Sequence, residues 1–154
     1  MKKLISLTIV VMLLLSAIPA YASSIDSITV DQLENGYYTV TVIEDISDNA
    51  ITPMATNTVT KSKTTYVKNS AGTTLWYVRV TGTFTYGDGT AKCTSATPSA
   101  VSQHSSWKVS NITGSKSGAT AYASATGKQY LDGTVINTIT ENVSLTCSPT
   151  GQFS

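Results

Sequence analysis

The chain has 154 residues, of which only 12% are charged, and its formal net charge at pH 7 is +1. A chain of this length fits one domain with a modest core, and its aromatic content and low net charge argue against intrinsic disorder. Nucleic acid is not an expected partner, because proteins that bind it carry a pronounced basic patch or stripe.

Residues 1–22 have the pattern of an export signal. Lys2 and Lys3 form a basic start, residues 4–18 are almost entirely apolar, and residues 20–22 (AYA) form a small-x-small cleavage site. The apolar run is short for a bilayer span, and no later stretch is apolar enough to be one. The sequence therefore predicts cleavage after Ala22 and a mature chain that is secreted, extracellular and without a transmembrane anchor.

The charge pattern divides the mature chain after residue 56. Residues 23–56 contain acidic residues but no Lys or Arg, whereas residues 57–154 contain all the basic residues of the mature chain. Within the acidic segment, residues 37–43 (YYTVTVI) have strong strand propensity. We interpret 23–56 as a solvated acidic segment with a candidate strand at 37–43, and 57–154 as the folded domain. The alternatives are an acidic arm lying against a basic domain, or a strand that belongs to the domain's sheet.

The clearest strand signal lies at residues 73–86 (TTLWYVRVTGTFTY), where apolar and polar residues alternate. Residues 58–68 are rich in Thr and Lys and read as an edge strand, because lysines discourage pairing at an exposed edge. Residues 95–99, 114–118 and 127–133 read as loops or turns. The residues predicted to form the core are Trp76, Val78, Val80, Phe84, Trp107, Val143 and Leu145.

Residues 119–126 alternate Ala with Thr, Ser and Tyr, which predicts a strand with an all-Ala inner face. Such a face lets bulky neighbours approach closely, so we expect Trp76 or Trp107 opposite it. Several short strands separated by turns, with no evident helix of ordinary length, predict an all-β fold. We expect a small antiparallel β-sandwich, with a small β-barrel as the alternative.

Cys93 and Cys147 are the two cysteines of a chain predicted to be exported. In an oxidising compartment such a pair most simply forms a disulfide, so we predict that one disulfide staples the domain. These two residues and His104, the single histidine, do not form a zinc ligand set at any usual spacing.

No arrangement of residues in the sequence predicts catalysis. His104 lacks a nearby nucleophile motif of the G-x-S-x-G type. Asp132 and Glu141 have opposite parity on one strand, so they would face opposite sides, and Asp88 lies between two turn glycines. The sequence therefore predicts no catalytic, cofactor-binding or metal-binding residues, and we expect a protein that is not an enzyme.

Two stretches carry a resemblance to other proteins: residues 61–94 (KSKTTYVKNSAGTTLWYVRVTGTFTYGDGTAKCT) and residues 143–154 (VSLTCSPTGQFS). They resemble a group of small secreted all-β proteins of Gram-positive Firmicutes that are generally uncharacterised. The resemblance covers residues 57–154 and implies a bacterial source and secretion. It implies no activity, cofactor or catalytic residue.

The expected function is that of a secreted, non-enzymatic module that binds a cell-surface, glycan or host partner. Basic residues among aromatic ones suit an anionic polymer of the cell wall, and exposed Tyr rings suit sugars. The candidate surface-binding residues are Lys61, Lys63, Arg79 and Lys108. The alternatives are a bacteriocin-like, antagonistic exported protein with an acidic leader part, and a small secreted hydrolase.

Overall fold

The computed structural model describes residues 25–46 and 56–154. The predicted signal peptide at 1–22 and the segment 47–55 lie outside these ranges. Within them the structure consists of strands apart from a short 3-10 turn at Glu34–Gly36, and no helix there is long and apolar enough to cross a membrane. The strands are β1 (Ile25–Gln32), β2 (Tyr38–Asp45), β3 (Asn57–Lys68), β4 (Thr74–Gly87), β5 (Thr90–Ser102), β6 (Trp107–Ser117), β7 (Thr120–Leu131) and β8 (Thr134–Thr146).

The eight strands form two antiparallel sheets that do not close on each other. The larger sheet has the order β1-β2-β3-β4-β5 and the smaller has the order β6-β7-β8. Every hydrogen-bonded pair joins strands that are consecutive in the chain, so each sheet is a simple meander. The prediction of an all-β antiparallel fold is confirmed, and the barrel alternative is wrong because the smaller sheet lies across the larger one without joining it.

The core lies between the two sheets, and all seven residues expected there are buried. Trp76 of β4 is fully buried, with its indole against Gly127 of β7, where a Cβ atom would overlap the ring. Ala121, Ala123 and Ala125 continue the same stripe of small, buried residues along β7. The expectation of a Trp opposite the Ala face is thus confirmed for Trp76. Gly127 lies within β7, and the turn predicted there is wrong, because this glycine serves close packing rather than chain reversal.

β3 is a central strand and not the edge strand predicted from its lysines. It pairs with β2 on one side and with β4 on the other. Lys61 and Lys63 lie on its inward side, opposite Gly82 and Val80 of β4. A local pattern cannot distinguish an inward lysine that is neutralised by distant carboxylates from one that protects an exposed edge.

β5 continues through the loop predicted at residues 95–99. Pro98 pairs with Val80 of β4, and β5 is the last strand of its sheet. An edge strand tolerates proline because one of its sides needs no backbone N–H donors. The ring of Pro98 lies where a Cβ at Gly114 of β6 would be, so Gly114 also permits a close approach of the two sheets. The turn predicted at 114–118 is correspondingly shorter, since β6 runs to Ser117.

The acidic segment contributes β1 and β2 to the larger sheet and is not a solvated extension. β2 includes most of the candidate strand at 37–43 and pairs with β3 along its whole length. Ile43 is 2% exposed within the main core, and the ring of Tyr37 meets Trp107 edge-on with centroids 5.9 Å apart. The segment also lies against basic residues, because Lys61 and Arg79 form ion pairs with its acids. β1, with its mixed pattern IDSITVDQ, was not predicted.

The close contact between Trp76 and Gly127 generates a stability prediction. Gly127→Ala should destabilise the protein by about 1–3 kcal/mol, because the added methyl forces the indole or the backbone of β7 to move. Urea unfolding measures this difference. Thr126→Ala, on the outward side of the same strand, is the matched control and should change stability far less. Equal effects of the two substitutions would show that the sheets are not this tightly packed.

Candidate functional site

The four candidate surface-binding residues do not form one surface. Lys61 and Lys63 lie on the inward side of β3, and Arg79 lies on the outward side of the same sheet. Lys108 lies on the outward side of β6, in the other sheet. Sequence reasoning grouped them by charge, whereas strand parity and sheet membership separate them.

Lys61 is only 8% exposed and is ion-paired. Its Nζ contacts the carboxylate of Asp26 and lies 3.1 Å from Oδ2 of Asp45, while the ring of Phe153 lies 5.0 Å away. Burial lowers the pKa of Lys61, but the hydrogen bonds and charges of Asp26 and Asp45 outweigh burial and hold the pKa above its usual value. This lysine is therefore not an open cation for a surface ligand.

Lys63 and Arg79 are also held within the larger sheet. Lys63 is half-buried, and burial lowers its pKa. Arg79 donates from Nε to Oγ1 of Thr64 at 2.7 Å, and its Nη2 lies 3.7 Å from a carboxylate oxygen of Glu44. The guanidinium also lies 5.7 Å from the ring centre of Tyr77. With its donors directed to neighbours, Arg79 is a weak candidate for an external partner.

The outward side of the three-stranded sheet has a different character. Because Ala121, Ala123 and Ala125 face the core, the intervening positions of β7 and the residues paired with them face outward. We call this surface the hydroxyl face. It is formed by Lys108, Ser110, Thr113, Ser115, Tyr122, Ser124, Thr126, Lys128, Thr138, Thr140, Asn142 and Ser144. These positions supply hydroxyls, an amide and two ammonium groups, and none of them is a carboxylate.

An open depression of about 500 Å³ lies on the hydroxyl face around Tyr122. The Tyr122 side chain is 40% exposed, and its cross-strand neighbours are the small residues Ser115 and Ser144. Next to it, Ser124 lies between Thr113 and Asn142. The exposed part of Tyr122 therefore lies among short side chains that can donate and accept hydrogen bonds.

A bulge shapes β6 beside this depression. The register with β7 shifts between Ser110 and Thr113, and Asn111 has a positive φ of 53°. Bulges bend a strand and redirect the side chains that follow. Thr113, the first residue paired again after the bulge, lines the depression. The bulge thus helps to shape the edge of the site.

Two lysines lie at one end of the hydroxyl face. Lys108 and Lys128 are paired directly across β6 and β7, and Lys108 Nζ lies 5.0 Å from the ring centre of Tyr130. Like charges directly opposite each other on a sheet repel. An anionic group placed between them would relieve that repulsion, so this end of the face favours a ligand with negative charge.

Cys93 and Cys147 are both buried and are free thiols in this structure, so the predicted disulfide is not formed in it. The backbone brings them to the same place: the Cys93 amide donates to the Gly118 carbonyl, and the Cys147 amide donates to the adjacent Ala119 carbonyl. Burial raises the pKa of both thiols. A raised pKa disfavours the reactive thiolate, so neither cysteine has the properties of a catalytic nucleophile.

Glu141 and Asp31 form a pair that sequence reasoning missed. Glu141 faces inward on β8, and burial raises its pKa, with the negative charge of Asp31 adding to the effect. The sequence analysis weighed Asp132 as the partner of Glu141 instead, because β1, which carries Asp31, was not recognised as a strand. His104 is exposed and lies 2.9 Å from Ser106 in the same turn. Within the described residues, no group of three or more His, Cys, Asp or Glu could hold a metal ion.

No protein-family model matches the chain, and no curated protein or solved structure matches it either. The function is therefore argued from the geometry of the hydroxyl face.

The half-buried Glu141 predicts a pH dependence of stability. Its folded pKa lies above the unfolded value of about 4.3, so the folded state holds the proton more tightly. That contribution is complete below the unfolded pKa and is lost as the pH rises through the folded pKa. Glu141→Gln should therefore flatten the fall in unfolding free energy above about pH 4, measured by urea unfolding across the pH range. Asp132→Asn is the control, and an unchanged slope in Glu141→Gln would contradict the assignment.

Proposed function

We propose that this protein is a secreted, non-enzymatic module that binds an anionic or hydroxyl-rich glycan on the hydroxyl face. The observation that carries the proposal is Tyr122, an exposed aromatic ring in an open depression lined by hydroxyls and the amide of Asn142. The ring offers an apolar surface for the C–H face of a sugar, and its surroundings offer donors and acceptors for the sugar hydroxyls. The partner class is a cell-wall or host glycan.

The rigidity of the surface supports this function. The side chains that form it are mostly Ser and Thr, which lose little conformational entropy when they bind. Some are already paired across strands, as Thr126 and Thr140 are, with their hydroxyl oxygens 3.0 Å apart. A face preordered in this way suits a ligand that makes many weak contacts along an extended chain.

The lysine pair supports the choice of an anionic polymer. Lys108 and Lys128 lie on the same face as Tyr122, so a chain that crosses the depression can place a negative group between them. Three acids of β1 and β2, namely Asp26, Asp45 and Glu44, are ion-paired in the other sheet and do not oppose such a ligand. The positive charge of the two lysines thus adds to the hydrogen bonds that the hydroxyl face offers a ligand.

The proposal includes secretion and a disulfide formed after export. The leading 22 residues support secretion through their signal pattern. The disulfide is supported by the location of Cys93 and Cys147 in one core cluster and by the charge of Cys93, which adds to the raised pKa of Cys147. Cys93 and Cys147 are 54 residues apart in the sequence (147 − 93). A disulfide that closes a loop of that length stabilises a protein by roughly 4 kcal/mol in the chain-entropy model.

Binding tests the assignment of the hydroxyl face. Tyr122→Ala should weaken retention on purified peptidoglycan, on cell walls that keep their anionic polymers, or on mucin by about tenfold or more, equivalent to roughly 1.4 kcal/mol. Tyr122→Phe keeps the ring and should retain most of the binding. Unchanged retention of a folded Tyr122→Ala variant on the material that binds the wild type would rule out this face, and no retention of the wild type on any of the three would refute the proposed function.

The lysine pair has its own control. Lys108→Gln combined with Lys128→Gln should reduce binding to walls that carry anionic polymers and should remove most of its salt dependence. Lys92→Gln, at an exposed position on β5 of the other sheet, removes one charge from a surface that the proposal does not use, and it is compared with Lys108→Gln alone. Equal losses in the two variants would point to net charge rather than to the site.

Alkylation measures the disulfide. Secreted protein should begin at Ser23 and, when unfolded without reduction, should take up no iodoacetamide, whereas both cysteines should react after reduction. Reduction should also lower the midpoint of thermal unfolding, because the cross-link restricts the unfolded chain. Recovery of two reactive thiols from unfolded, non-reduced protein would leave the cysteines as a pair of buried thiols.

A further inference from the structure

Three ionisable side chains from three neighbouring strands meet on the inward side of the larger sheet. Lys61 of β3 lies directly opposite Asp45 of β2 in the register. Asp26 comes from β1, at the irregularity between Ile25 and Ser27, where it has no partner in the ladder. A bulge of this kind redirects a side chain, and here the carboxylate of Asp26 contacts Lys61 Nζ across β2.

An aromatic ring also lies beside the amine of Lys61. The ring of Phe153 lies 5.0 Å from Nζ and meets Phe84 edge-on, with ring centroids 5.3 Å apart. Phe153 is held there by a bridge to Cys147 and by two backbone hydrogen bonds between Thr146 and Ser154. The chain after β8 thus folds back as a cover, and Lys61 remains 8% exposed.

If these three groups remain ions, one ammonium must balance two carboxylates. Burying the ammonium of Lys61 costs free energy, and the two carboxylates that share it, each about a third exposed, keep one negative charge in excess. An amide between Lys61 and Asp26 would remove one charge of each sign and leave only Asp45, which is 31% exposed, as an anion. The same geometry that brings the ions together also brings a nucleophile to a carboxyl carbon.

We infer that Lys61 and Asp26 condense into an intramolecular isopeptide bond, with Asp45 as the proton carrier. Lys61 Nζ gives a proton to Asp45 and its lone pair attacks Cγ of Asp26, forming the C–N bond. Asp45 passes that proton, and then a second one from Nζ, to one oxygen of Asp26. The C–O bond breaks and that oxygen leaves as water. The amide keeps one hydrogen on nitrogen, Asp45 is again a carboxylate, and no oxidant or cofactor is consumed.

The local geometry brings the proton carrier and the nucleophile together, whereas the raised pKa of Lys61 makes its deprotonation the uphill step. Asp45 Oδ2 lies 3.1 Å from Nζ, within the range needed for direct proton transfer. The pKa of Lys61 is raised, so the resting amine is charged and depends on this neighbour to lose its proton. Two groups fixed in contact react at effective concentrations of about 10⁵–10⁸ M, which offsets the cost of condensation.

Intact mass of the secreted mature chain tests the inference. The folded wild type should be lighter than its sequence by one water, in addition to the two hydrogens of a disulfide. Protease digestion should yield a branched peptide that joins the residues around Asp26 to those around Lys61. Asp26→Ala, Lys61→Arg and Asp45→Ala should each keep that water and lack only the two hydrogens of the disulfide, whereas Asp31→Asn, on the same strand as Asp26, should still lose water.

A competing source of water loss is a succinimide at the Asp26-Ser27 step. Mild alkali restores the mass of a succinimide but not that of an isopeptide bond, and Lys61→Arg abolishes only the latter. A wild-type chain of full mass after prolonged incubation in the folded state, or a water loss that persists in Lys61→Arg, would overturn the inference. Because the decisive measurement is made on the wild type, it does not depend on the folding of any variant.

Discussion

The contact between the Trp76 indole and Gly127 sets how closely the two sheets approach, and the rest of the molecule depends on that separation. A large ring fits between sheets only where the opposite strand offers almost no side chain, which β7 does with Gly127 and the three alanines that precede it. Since strand side chains alternate, burying the small residues forces Tyr122, Ser124 and Thr126 to the outer surface. One packing requirement therefore determines both the core and the orientation of the hydroxyl face.

The charged residues are also distributed differently between the two sheets. The acids that the sequence concentrates in β1 and β2 are largely engaged within the larger sheet, where Lys61 and Arg79 meet three of them. The smaller sheet keeps Lys108 and Lys128 on an outward side that carries no acid. A chain with almost no net charge thus has surfaces of distinct electrostatic character, which bulk composition does not reveal.

The alternation of apolar and polar residues was sufficient to predict the strands whose inward side is set by their own sequence. The alternation around Trp76 and the Ala alternation of β7 identified two strands, their inward sides and the core, because a half-buried strand imposes a period of two. The local pattern gave the wrong structural role for a residue whose main contacts come from distant parts of the chain. Lys61 resembled an edge lysine because its carboxylates come from β1 and β2, and Gly127 resembled a turn residue because its partner lies in the other sheet. The hydroxyl face could not be recognised as one surface until the pairing of β6, β7 and β8 showed which of its residues lie side by side.

The meander connectivity has a consequence for the order in which the chain acquires its structure. Within each sheet, every strand pairs with the one that has just preceded it, so each sheet can assemble progressively without waiting for distant segments. Phe153 follows all eight strands, and its contact with Lys61 is among the last to form. The ammonium of Lys61 therefore gains its aromatic neighbour only after the strands that surround it have formed.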